Sequence, residues 1–113
     1  MKHTDSTQMQ HTPGPWQAAS PDDLEQKGVP VFARNPAGLR YYIATCSYMG
    51  TADPAPALAN ARLIAAAPAL LDALRAIATQ AGLTAIAFPN APGNEDLQAI
   101  VRITREAIES TRN

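Results

Sequence analysis

Residues 53–82 read DPAPALANARLIAAAPALLDALRAIATQAG, and this stretch decides the fold. Asp53 followed by Pro54 has the form of a helix start, an N-cap carboxylate with proline at the first helical position. From there Leu63, Ala67, Leu70, Leu74, Ile77 and Ala81 recur at spacings of three and four, which predicts an apolar stripe along one helix face. Arg62, Asp72 and Arg75 fall on or near the opposite side. Pro68 donates no hydrogen bond and crowds the carbonyl of Ile64. Two helices could meet there, but the stripe keeps its phase across the proline, which favours a kinked continuous helix. Gly82 is the expected stop.

Downstream, Leu83 to Phe88 is apolar and Pro89 to Gly93 is rich in turn formers, predicting a connection that holds either a short strand or a partner-facing loop. Asn94 reads as the cap of a final helix, with Glu95 and Asp96 at the positive end of its dipole. Its inner face is expected to carry Leu97, Ile100, Val101, Thr104, Ala107 and Ile108, and its outer face the pairs Arg102–Glu106 and Arg105–Glu109.

Upstream, residues 1–12 are polar and aperiodic, and read as a flexible arm before a single domain over 13–113. Pro13, Gly14 and Pro15 form a rigid turn that fixes Trp16. Three segments then alternate like strands: Trp16 to Ala19, Val29 to Arg34 and Tyr41 to Tyr48, separated by the turn formers Pro21–Asp23 and Asn35–Gly38. Both faces of the third carry aromatic or aliphatic groups, which predicts a central or sandwiched strand. The expectation is an α+β fold: a small three-stranded antiparallel sheet followed by a kinked helix and a C-terminal helix.

Composition narrows the function classes. A formal net charge of -1 gives no broad electrostatic grip on a DNA or RNA duplex or an anionic membrane. No run approaches the roughly 18–20 consecutive apolar residues of a membrane span, and the polar start lacks a signal segment, so a cytoplasmic protein is expected. Cys46 is the one cysteine, which excludes an internal disulfide. At 113 residues one core is expected, and a chain this small gains stability by homo-oligomerisation.

Catalytic patterns are missing from the sequence: it holds no glycine-rich phosphate loop, nucleophile elbow or metal-ligand spacing. His3 and His11 fall in the arm, and Cys46 reads as a small hydrophobe in an aromatic strand. No enzyme activity, metal or cofactor is therefore expected. Aromatic and guanidinium groups suited to a planar anion remain: Trp16, Arg34, Arg40, Tyr42, Asn60 and Arg62 are the candidate ligand-binding residues. The competing reading makes the aromatics core and the arginines surface.

Two blocks carry a resemblance. HTPGPW at residues 11–16, and NARLIAAAP at residues 60–68 followed by Leu70, Leu71, Ala73 and Leu74, resemble a group of small proteins of tailed phages and prophages. That group typically has glutamate where this chain has Ala69. The resemblance implies a phage or prophage origin, a host-cytoplasm location and an accessory role, and it brings no catalytic residue. Two functions follow as expectations. One is sequestration of a nucleotide-type immune signal at a subunit interface, as counter-defence. The other is a protein–protein interaction module for a host or phage protein, docking through the stretch Leu83 to Phe88 or an exposed helix face.

Overall fold

The computed structural model describes residues 10–24 and 27–112. It contains strands β1 (Gln17–Ala18), β2 (Gly28–Arg34) and β3 (Arg40–Ser47), then helices α1 (Ala55–Ala65), α2 (Ala67–Ala87) and α3 (Asn94–Glu109), with a closing 3-10 turn over Ser110–Arg112. This is the α+β arrangement expected, with three helices. The chain forms two compact units, one over residues 10–69 and one from Leu70 onward. The arm expected over residues 1–12 lies mostly outside the described residues.

In the first unit the sheet is antiparallel with order β1-β2-β3. β2 is therefore the central strand, and its first six residues are all buried. Its Pro30 is tolerated for a geometric reason. Ala19 donates to the Pro30 carbonyl at 2.9 Å, so the backbone N of Pro30 faces the β1 edge, where the ladder ends. The residues facing β3 keep their N–H groups. Asn35, Pro36, Ala37 and Gly38 build the β2–β3 turn: Gly38 donates to the Asn35 carbonyl at 2.8 Å, and the Asn35 side chain accepts from Leu39 at 2.9 Å. Gly38 has a φ of +85°, the left-handed region in which a side chain is strained.

β3 corrects the sequence reading, since it is an edge strand and not a central one, with Tyr41 and Tyr42 more than half exposed. The strand also carries a bulge. Val31 pairs with Ala44 and Phe32 with Tyr42, which leaves Ile43 surplus. Partners across a ladder share a face, so the bulge moves Tyr42 from the face of Ala44 and Cys46 to that of Phe32.

α1 lies against this sheet through Ala57 and Ala61, four residues apart and both buried. Side chains of one carbon let the helix axis approach closely, and the cluster continues into Val29, Val31 and Ala19. Pro54 holds the N-cap position, one residue later than expected, while Asp53 Oδ1 still accepts the Ala55 N–H at 3.0 Å. The expected kinked helix is two helices, with Ala66 alone between them. The Ala66 N–H is shared between the carbonyls of Arg62 and Leu63, and Pro68 falls in the first turn of α2, where it has no intrahelical partner to lose.

The second unit pairs α2 with α3 around Leu71, Ala78 and Ile108, with Leu74 packed alongside. Of the expected stripe only Leu74 and Ala81 face inward. Ala67 is exposed, as are Leu63, Leu70 and Ile77, and the buried row runs through Leu71, Ala78 and Ala81. α2 is apolar nearly all round, so periodicity could not select which side turns inward. Gly82 does not end the helix, which continues to Ala87; its position packs near Val101, and a mid-helix glycine costs only about 1 kcal/mol. The stretch expected as strand or loop, Leu83 to Phe88, is thus helical through Ala87.

Gly93, not Asn94, is the N-cap of α3. The buried Asn94 side chain reaches back instead, donating to the carbonyls of Ala85 and Phe88 at 3.1 Å each. It closes the end of α2 by giving the Ala85 carbonyl a donor from outside the helix, and it adds to the Ala91 N–H already on the Phe88 carbonyl. The expected inner face of α3 is buried or half-buried except for Ile100.

Candidate functional site

Three of the six candidate residues meet on the outer face of the sheet. Arg34 and Arg40 are cross-strand partners at the hairpin end, as are Phe32 and Tyr42. The Arg40 guanidinium carbon lies 4.2 Å from the Phe32 ring centroid and that of Arg34 lies 5.3 Å away. Tyr42 meets the same ring edge-on, with centroids 6.4 Å apart. Phe32 is only 1 % exposed, so cations and a tyrosine form its cover, an arrangement that uses the ring's negative face.

The charges are partly engaged. Arg40 forms an ion pair with Asp23, and Arg34 donates to the Gly38 carbonyl at 2.8 Å. The hydrogen bond to Asp23, followed by that to Tyr42, raises the Arg40 pKa above its ordinary value. The stability contributed by a group whose folded pKa is raised is complete below its unfolded pKa and lost above the folded one. Arg40 therefore stays cationic across the physiological range, and its contribution fades only in strong alkali. The platform can present positive charge beside the exposed Tyr42 ring, which suits contact with an anion or an aromatic group.

Trp16, Asn60 and Arg62 do not join this cluster. Trp16 packs against the Val31–Ala57–Ala61 core beside Ile64 and Ala65. Its Nε1 donates to the Thr12 carbonyl at 3.0 Å, and His11 stands edge-on to its ring at 6.0 Å. Asn60 and Arg62 are exposed on α1. The platform's remaining members, Phe32 and Asp23, escaped the sequence reading; the bulge that gathers them leaves no mark in hydropathy.

The two blocks that carry the phage resemblance touch one another. The backbone of Gly14 lies so close to Pro68 that a Cβ built on residue 14 would be 2.9 Å from the Pro68 Cβ. Glycine at residue 14 is thus a requirement of close approach. HTPGPW acts as a clasp that seats Trp16 in the core and rests its turn on the start of α2. This placement gives both blocks a structural task.

Among the described residues no group of three or more His, Cys, Asp or Glu is placed to hold a metal. Cys46 is half-buried against the core. The Nδ1 of His11 is hydrogen-bonded to the Thr12 carbonyl at 2.8 Å.

A three-stranded antiparallel sheet with one helix on its face, continued by a helical pair, defines a small α+β protein. A protein-family model described as Salmonella phage P22 protein Y8K6 matches residues 1–111, and the chain belongs to that phage protein family. No curated protein and no solved structure matches it significantly.

Proposed function

We propose that this protein is a phage accessory protein that acts by binding, and that its working form is an assembly of identical chains joined through the apolar surface of α2. One observation carries the reading. α2 is 21 residues long and apolar enough, by length and composition, to cross a membrane, yet only 17 % of its most apolar window is buried within the chain. Leu70, Ile77, Leu83 and Ile86 all stand exposed along it, and Phe88 follows at its end. A helix apolar all round belongs in an interior, and an exposed apolar surface of this kind marks an association site. A second copy supplies a matching surface by two-fold symmetry. Asp72 and Arg75, both exposed in the second turn, favour a protein partner over lipid.

The finer reading is sequestration of a nucleotide-type immune signal at the interface of such an assembly. It is favoured by the convergence of Arg34, Arg40 and Tyr42 on Phe32, groups suited to stacking and phosphate contact.

Light scattering tests the association. The wild-type chain should run at a multiple of 12.0 kDa, and the double substitution Ile77→Glu with Ile86→Glu should return it to a monomer with its helix content intact. A wild-type monomer at all concentrations, without binding to vesicles, would refute the reading; vesicle binding would reassign α2 to a membrane. Calorimetry with a nucleotide panel on both forms addresses the finer reading, which requires binding to the wild type and its loss in the monomer.

A further inference from the structure

We propose that the groove between α2 and α3 is a second binding site, for a ligand carrying at least two phosphate charges. The groove has a volume of about 360 Å³ and is walled by Arg75 and Thr79 from α2, and by Arg105, Glu109 and Arg112 from α3 and the turn after it. Its volume falls within the roughly 300–1,000 Å³ of small-molecule sites. Ala78 and Ile108, both nearly buried, form its floor.

The placement follows from helix geometry. Arg75 and Thr79 are four residues apart on α2 and Arg105 and Glu109 four apart on α3, so each pair lines one face of its helix, and Arg112 joins them from the 3-10 turn that follows α3. Three arginines and one glutamate thus line the groove. Glu109 is not paired with Arg105, four residues before it, as the sequence spacing suggests. It pairs with Arg112 at 3.6 Å, and Arg105 has no ion pair among the described residues. The other contact, Arg75 with Asp72, is 3.8 Å long and more than half exposed. Loose exposed pairs of this kind hold their partners weakly, so all three guanidiniums are free to turn inward.

The chemistry of the ligand follows from what opposes it. Glu109 and the C-terminal end of the α3 dipole both repel anions. A singly charged carboxylate gains little against that repulsion, whereas a pyrophosphate spans several guanidiniums, whose planar forks match phosphate oxygens. The apolar floor leaves room for an uncharged portion such as a nucleoside. The site uses none of the exposed apolar residues of α2, so it stands or falls apart from the association reading.

Calorimetry of the full chain at low salt, with inorganic pyrophosphate and separately with a nucleoside diphosphate, tests the proposal. Saturable binding is expected, weakened at least tenfold by Arg105→Gln and unchanged by Arg62→Gln on α1. Tighter binding of the nucleoside diphosphate assigns the floor to the nucleoside, and equal binding assigns recognition to phosphate alone; both support the site. The proposal is overturned if neither ligand saturates at millimolar concentration, if Arg105→Gln binds like wild type, or if Arg62→Gln causes an equal loss.

Discussion

The sheet unit and the helical pair bury their apolar residues to different depths. In the first, Val29 and Val31 have no exposed surface and Phe32 has 1 %; in the second, the innermost large side chains, Leu71 and Ile108, keep 8 % and 9 %. The cause is architectural. β2 is flanked by a strand on each side, with α1 against one face and the arginine–tyrosine cover on the other, so each of its faces has a neighbour. Two helices alone bury one stripe each, and the rest of an all-apolar circumference has nothing to meet. The first unit therefore buries its apolar core more completely than the second, which leaves large apolar side chains exposed.

Substitutions can break or sharpen that contrast. The largest effect is expected from Phe32→Ala, which removes a fully buried ring and leaves two guanidiniums without their platform: a loss of about 3–5 kcal/mol. Trp16 is the one tryptophan and packs on the same core, so its fluorescence during urea unfolding reports the change. A loss below about 1 kcal/mol would show that the core tolerates a void and is less tightly packed than described. Gly14→Ala should come next. The new methyl group meets the Pro68 ring, and overpacking of this kind costs about 1–3 kcal/mol; an unchanged unfolding midpoint would mean that the clasp moves aside freely. The smallest effect belongs to Ile86→Ser, in a residue 78 % exposed. Thermal unfolding at low protein concentration should shift by less than about 0.5 kcal/mol, and a larger loss would place Ile86 in an interior.

Much of the fold is legible in the sequence because local chemistry specifies it. The Asn35-Pro36-Ala37-Gly38 turn marks the hairpin, and the apolar pattern of α3 is right at all inner positions but Ile100. The errors cluster where local signals are degenerate. α2 offers apolar residues on every side, so the spacing selects Leu70 and Ile77 for the inner stripe where the structure buries Leu71 and Ala78. Gly82 looked like a stop because helix ends favour glycine, yet the closing contact comes from Asn94, twelve residues later. Half of the candidate site, Arg34, Arg40 and Tyr42, comes together as a cluster. Trp16, Asn60 and Arg62 stay apart from it because residue type carries no information on which face of a sheet or helix is shared.

The surplus Ile43 lets a single strand work in two frames. From Ser47 back to Ala44 the side chains follow one alternation, and from Tyr42 to Arg40 they follow its inverse. An eight-residue edge can thereby lend Cys46 to the helix-covered side and both Arg40 and Tyr42 to the opposite one. Excising that one residue would set Tyr42 directly beside Ala44 in strict alternation, so the aromatic and basic groups would keep their face opposite Phe32 and Arg34 while the strand lost the bend and extra twist of the bulge.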